Sequence, residues 1–141
     1  MGPVFMDMSA AQCRERIARG GVGRVAWCAQ GRPQIYPVNY VVVDGDIVFR
    51  TAPYTGLGIQ VSGRPVVFEV DEIDHDAQRG WSVVVQAEAE TVHDPDEMMR
   101  LRRQGPEPWA EGQRNLLVRL RPQRVSGRVA GDPEPRTQSA G

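Results

Sequence analysis

Residues 34–52 read QIYPVNYVVVDGDIVFRTA, and this stretch decides the fold. Residues 34–43 are dense in β-branched and aromatic side chains, which fill a pleated, half-buried surface well. Asp44-Gly45 is a strong two-residue hairpin signal, and residues 47–52 return as the partner strand. The stretch predicts a β-hairpin.

Working outward, residues 22–28 predict a strand that turns over Gln30-Gly31-Arg32-Pro33. Ahead of it, Ser9 suits an N-cap, and Ala10, Cys13 and Ile17 recur at helical spacing, so a short helix covers about residues 10–19. Gly20, Gly21 and Gly23 end it. Downstream, the glycine-rich residues 53–63 leave room for a short helix around 57–61, and residues 65–71 form a strand with Val66, Phe68 and Val70 on one face. After an acidic turn over residues 74–80, residues 81–92 alternate Val83, Val85, Ala87 and Ala89 against Gln86, Glu88 and Glu90. Strict alternation marks a half-buried strand. Asp94-Pro95-Asp96-Glu97 combines an N-cap, a proline at the first helical position and a carboxylate three residues after the cap. It predicts a helix over 95–104 with Met98 and Leu101 facing inward. An irregular loop over 105–113 leads to a last strand over 115–121, with a continuation past Pro122 towards Val125 left open. Residues 131–141 read as a disordered polar tail to a single domain over 1–130. About six antiparallel strands with short turns and two or three short helices predict a mainly β protein closed as a barrel. Val25, Val38, Tyr40, Phe49, Phe68, Val83, Val85, Leu116, Val118 and Leu120 form its expected interior.

Several function classes lose support. The net charge is −1, from 17 basic and 18 acidic residues, so no basic excess favours nucleic acid or an anionic membrane. No apolar run reaches the length of a membrane span, and the first eight residues lack a signal pattern. With Cys13 and Cys28 read as free thiols, a cytoplasmic location is expected. His75 and His93 stand in or beside acidic turns and read as solvated; no cysteine–histidine cluster has zinc spacing. All the basic residues are arginine and lysine is absent, so no side-chain amine can form a Schiff base. Any phosphate must be met by arginine, hydroxyls or backbone N–H groups. Without a nucleophile–base pair, redox chemistry would need a cofactor.

Gly23-Arg24-Val25-Ala26 and Pro37-Val38-Asn39-Tyr40 are followed by Val48-Phe49-Arg50-Thr51-Ala52, Val67-Phe68-Glu69-Val70-Asp71 and Gly80-Trp81-Ser82-Val83. Pro108-Trp109 and Val125-Ser126-Gly127-Arg128 complete the series. In this order and spacing, over about residues 10–129, the chain resembles the pyridoxamine 5′-phosphate oxidase-like, FMN-binding split-barrel proteins of actinobacteria. The resemblance implies a six-stranded split β-barrel that forms a homodimer with FMN between the protomers. It implies phosphate contacts at Arg50 and Thr51, with Thr55 a further candidate. It lays the backbone of Val38, Asn39 and Tyr40 along the isoalloxazine ring and brings Trp81 and Ser82 to the flavin from the other protomer. Trp109 and Arg128 fall in segments similar to C-terminal motifs near the site. The chain departs from its relatives at Gly56, where they carry a lysine. An FMN-dependent oxidoreductase-like activity on an unknown substrate is the expected function. The same barrel also suits a non-catalytic binder of flavin, deazaflavin or another planar molecule, or a dimer that has lost its cofactor. Taken alone, Arg50 also reads as a solvated residue beside Val48 that pairs across the sheet with a carboxylate such as Glu69. A homodimer is expected too because the segments holding Trp81 and Trp109 would otherwise stay open to water.

Overall fold

The computed structural model describes residues 5–52, 56–105 and 116–131. Its elements, in chain order, are β1 (Phe5–Asp7), α1 (Ala10–Ala18), β2 (Gly21–Ala29), β3 (Arg32–Val43), β4 (Asp46–Thr51), α2 (Gly56–Gln60), β5 (Pro65–Asp74), β6 (Arg79–Val92), α3 (Pro95–Gln104) and β7 (Leu116–Ala130). The strands form one antiparallel sheet in the order β1-β7-β4-β3-β2-β5-β6, and β6 also pairs with β7, which closes a barrel. The strand count is seven rather than six. The extra strand is β1, three exposed residues held to the end of β7 by Phe5↔Ala130 and Asp7↔Arg128. Three residues carry no readable period, which is why the sequence hides it.

The Asp44-Gly45 turn is the expected one, while the turn before β3 is tighter than expected, with Arg32 and Pro33 already paired in the strand. Gln30 and Gly31 have φ of 53° and 74°, and Asp44 and Gly45 have 52° and 84°. Positive φ at both central positions matches the right-handed twist of the flanking strands. β7 continues through Pro122 to Ala130, and the ladder to β6 shifts register there, with Gln86 opposite Arg124 and Ala87 opposite Pro122. A proline is tolerated at such an irregularity because it withdraws no donor that the ladder uses.

Two strands change neighbours along their length. β3 pairs with β2 from Arg32 to Tyr40 and with β4 only from Tyr40 to Val43. β7 pairs with β4 over Leu116–Leu120 and with β1 over 128–130, while bonding β6 throughout. Between those stretches the barrel is split. Helix α1 packs by the split: Met8 N–H donates to Gly127 O, and the Tyr40 hydroxyl donates to Ile17 O over 2.9 Å. Gly127 is required there, because a Cβ would stand 2.7 Å from Cys13 Sγ. A capping box fixes the start of α1, with Gln12 N–H donating to Ser9 Oγ and Ser9 N–H to Gln12 Oε1. Asp94 caps α3 through Glu97 N–H.

The barrel interior holds Val25, Trp27, Val38, Tyr40, Phe49, Phe68, Val83, Val85, Val118 and Leu120, all buried. Leu116, expected inside, packs against this core while half-buried. The Tyr40 and Phe68 rings meet edge to face at 4.9 Å. Gly23 makes room for this pair, since a Cβ there would run into the Phe68 ring. Outside the barrel, Leu101 of α3 covers Val43, Val48, Val92 and Leu117, with Met98 beside them. That second core corrects the solvated face expected beside Arg50: Val48 is fully buried. The tail from residue 132 lies outside the described residues, as do Thr55 and Trp109. No described helix is long and apolar enough to cross a membrane.

Burial pushes the Tyr40 hydroxyl up to about 12, so it stays a donor at any ordinary pH. Ile17 O also accepts from Gly20 N–H and keeps a partner without it. Tyr40→Phe should therefore cost about 1 kcal/mol of folding stability. Urea denaturation reads this directly, and an unchanged midpoint would contradict the role given to the bond.

Candidate functional site

Side chains alternate across a strand, and the alternation sorts the expected site residues. Val38 and Tyr40 point into the barrel and are buried, so any contact they make with a ligand runs through backbone groups. Asn39 points outward, opposite Val22. β4 reaches β3 only at Tyr40, so the preceding edge of β3 has no neighbouring strand among the described residues. A backbone edge of that kind can meet a planar ring, as the resemblance implies.

On β4, Arg50 is outward and Thr51 inward, the latter 3% exposed. Arg50 lies opposite Leu117 of β7, far from Glu69. The cross-sheet partner of Glu69 is Arg24, at 3.0 Å. Arg50 Nε is buried and has no hydrogen-bond partner among the described residues. A desolvated cationic donor without an acceptor is costly. Such a donor can take an anionic oxygen from outside the described residues. Gly56, at the start of α2, is open: a Cβ would meet only Gln60 Oε1, at an ordinary 3.6 Å.

The second group lies at the other end of β6. Ser82 points outward, opposite Asp71 on one side and Arg128 on the other. Trp81 points inward, is 9% exposed, and has Arg16 of α1 over its ring at 5.4 Å. Its Nε1 is buried without a partner among the described residues. This corrects the expectation that Trp81 needs a second copy to cover it. Trp81, Ser82 and Arg128 line a cavity of about 410 Å³ with Phe5, Ile73 and Arg79, beside the β5–β6 turn that carries His75. Arg128 also stands over the Phe5 ring at 5.1 Å. Phe5, Ile73 and Arg79 were not legible as site residues, because their place depends on β1 and on a turn whose shape only the fold reveals.

Among the described residues the two groups do not converge on one cleft. Around the outer surface, β3, β2 and β5 lie between Arg50 on β4 and Ser82 on β6. That is four strand spacings, about 19 Å along a convex face. A flat ligand touching both groups of one protomer would lie on that face with no described residue over it.

The described residues form a mainly β split barrel with a buried, unpartnered Arg50 Nε and an open strand edge, and no group of potential metal ligands occurs among them. The family described as pyridoxamine 5′-phosphate oxidase matches residues 9–129, and the chain belongs to it. An uncharacterised protein of Mycobacterium tuberculosis is 34% identical over 133 residues, covering 90% of this chain and 87% of the relative. The FAD binding protein from Mycobacterium smegmatis superimposes with a TM-score of 0.74 at 29% identity, covering 89% of this chain and 98% of that one. A FAD-binding protein from Mesorhizobium loti has a TM-score of 0.79 at 24% identity, with 93% and 100% covered, which speaks for the fold alone.

The cavity depends on Gly80, whose Cβ would stand 2.6 Å from Glu72 O across the β5–β6 ladder. Gly80→Ala should lower stability by roughly 1–3 kcal/mol, as overpacking against backbone does. Thermal melting of the variant checks this, and a melt like that of the parent would show that the hairpin is looser than described.

Proposed function

We propose that two copies of this chain hold a flavin between them, with Arg50 of one copy on its phosphate and Trp81, Ser82 and Arg128 of the other copy beside its ring. The observation that carries the reading is the buried, unpartnered Nε of Arg50 on the outer face of β4. A guanidinium offers a rigid fork of donors matched to phosphate oxygens. Thr55 and Trp109 are supporting positions that the family resemblance assigns; Thr51, which it also assigns, turns its side chain into the barrel and would serve only through its backbone. The convex face between the two groups favours a composite site, because a second copy laid on it would turn a surface into a cleft. Exposed Val22, Ile35, Val67 and Val84 on that face supply apolar area for such a contact.

A bound flavin supplies two-electron redox chemistry that none of these side chains has. The chain's own residues bind and orient. Arg50 holds the anionic end, the β3 backbone edge before Tyr40 lies along the ring, and the open cavity beside Trp81 admits a second molecule. On this reading the protein is an oxidoreductase of unknown substrate, and FMN is the proposed form. FAD carries the same phosphate next to the ribityl chain, so Arg50 would serve either.

Titrating FMN, FAD and riboflavin by flavin fluorescence tests the placement. Arg50→Ala should weaken FMN and FAD by roughly tenfold to a hundredfold and leave riboflavin nearly unchanged. Gly56→Lys, which the space at Gly56 permits, should tighten FMN by up to about tenfold through a partly exposed charge-assisted bond. Equal effects on riboflavin would put the phosphate elsewhere.

A further inference from the structure

The outer face of β3, β2, β5 and β6 has a charged centre in an apolar surround. Arg24 lies opposite Pro37 on one side and Glu69 on the other, and Glu69 lies opposite Val84. The next row out is Ile35, Ala26 and Val67. Ile35 is 63% exposed, and Val22, Val67 and Val84 are each close to 40%. In the middle, one guanidinium serves two carboxylates: Arg24 Nη1 is 3.0 Å from Glu69 Oε1 and 3.6 Å from Asp71 Oδ2. Among the described residues, the charged groups that face this centre are few. β2 contributes Arg24 and β5 contributes Glu69 and Asp71; the outward residues of β3 and β6 beside them, Pro37, Asn39, Ser82 and Val84, are neutral. The nearest further charges are Arg128 and Arg124 of β7, opposite Ser82 and Gln86.

We propose that this face seats the second copy and that the Glu69–Asp71 carboxyl pair makes the seating depend on a proton, so that the dimer is tight below neutral pH and loosens above it. The inference rests on the two-copy reading given above and adds its regulation. With one proton on the pair, each centre holds one positive and one negative charge, is neutral overall, and is complementary to its own copy under a two-fold axis. With the proton gone, two centres of net charge −1 meet across an interface that has removed water from them.

Glu69 already holds its proton more tightly than an ordinary carboxyl in the single chain: burial first, and then Asp71, push it up to about 7 despite Arg24. The sign follows. Docking removes more water and disfavours the charged form further, so the dimer holds more protons than two separate chains. Raising the pH draws those protons off and the dimer with them. Because flavin is held between copies, its affinity should follow the dimer.

Sedimentation equilibrium of the full chain at pH 5.5 and 8.5 tests this, with Glu69→Gln and Asp71→Asn as two independent ways of removing one charge. The parent dimer should weaken by roughly tenfold or more at the higher pH, while both variants stay tight at both. A tight parent dimer that ignores pH would overturn the proton link and leave the two-copy reading standing. So would variants that respond to pH as the parent does. A chain that stays monomeric at both pH values, with or without flavin, would overturn both.

Discussion

The structure depends on β7 having two neighbours on one edge. Its other edge bonds β6 along nearly its whole length, closing the barrel. The remaining edge is divided between β4 at one end and β1 at the other. A single strand shared in this way cannot seal the barrel, and the gap between the two stretches is where α1 comes in, with Gly127 shaved to the backbone to admit Cys13. The long register offset of this closure also carries Arg50 and Ser82 to places that no cleft among the described residues joins. A site built from both would need a second chain, and this is the support that the strand pairing lends to the two-copy proposal.

The packing inside supports the same arrangement. Gly23 admits the Phe68 ring, Phe68 meets Tyr40 edge-on, and Tyr40 bonds the carbonyl of Ile17 on α1. This chain of contacts ties the barrel core to the helix by the split, so the β3 edge ahead of Tyr40 is rigidly presented. A rigid edge suits ligand binding, because little backbone freedom remains to be lost when a planar ring settles against it.

Much of the barrel was legible in the sequence because the signals were local. Asp44-Gly45 fixed one hairpin, the valine–alanine alternation of residues 81–92 fixed the longest inner face, and Asp94-Pro95 fixed α3. What could not be read was set by partners distant in the chain. β1 is a strand only because β7 extends to Ala130 beside it. Val48 is buried only because α3 folds over it, and Glu69 finds Arg24 rather than Arg50 because of the β2–β5 register. The site divides in the same way. Arg50 was visible as an interruption of an apolar strand, and family resemblance gave it a role. Phe5, Ile73 and Arg79 join Trp81 only through the fold. Trp81 itself proved buried within its own protomer, so the case for a second copy rests on the division of the site and on the apolar outer face.

The most direct test of that claim is complementation between two defective chains. Arg50→Ala and Arg128→Ala proteins, each impaired for flavin, are mixed under conditions that allow subunits to exchange, and flavin binding is measured again. If each site draws Arg50 from one copy and Arg128 from the other, mixed dimers contain one intact site, and roughly a quarter of all sites recover parental affinity. If the site lies within one chain, every site in the mixture keeps a lesion, and no recovery at any mixing ratio would contradict the account.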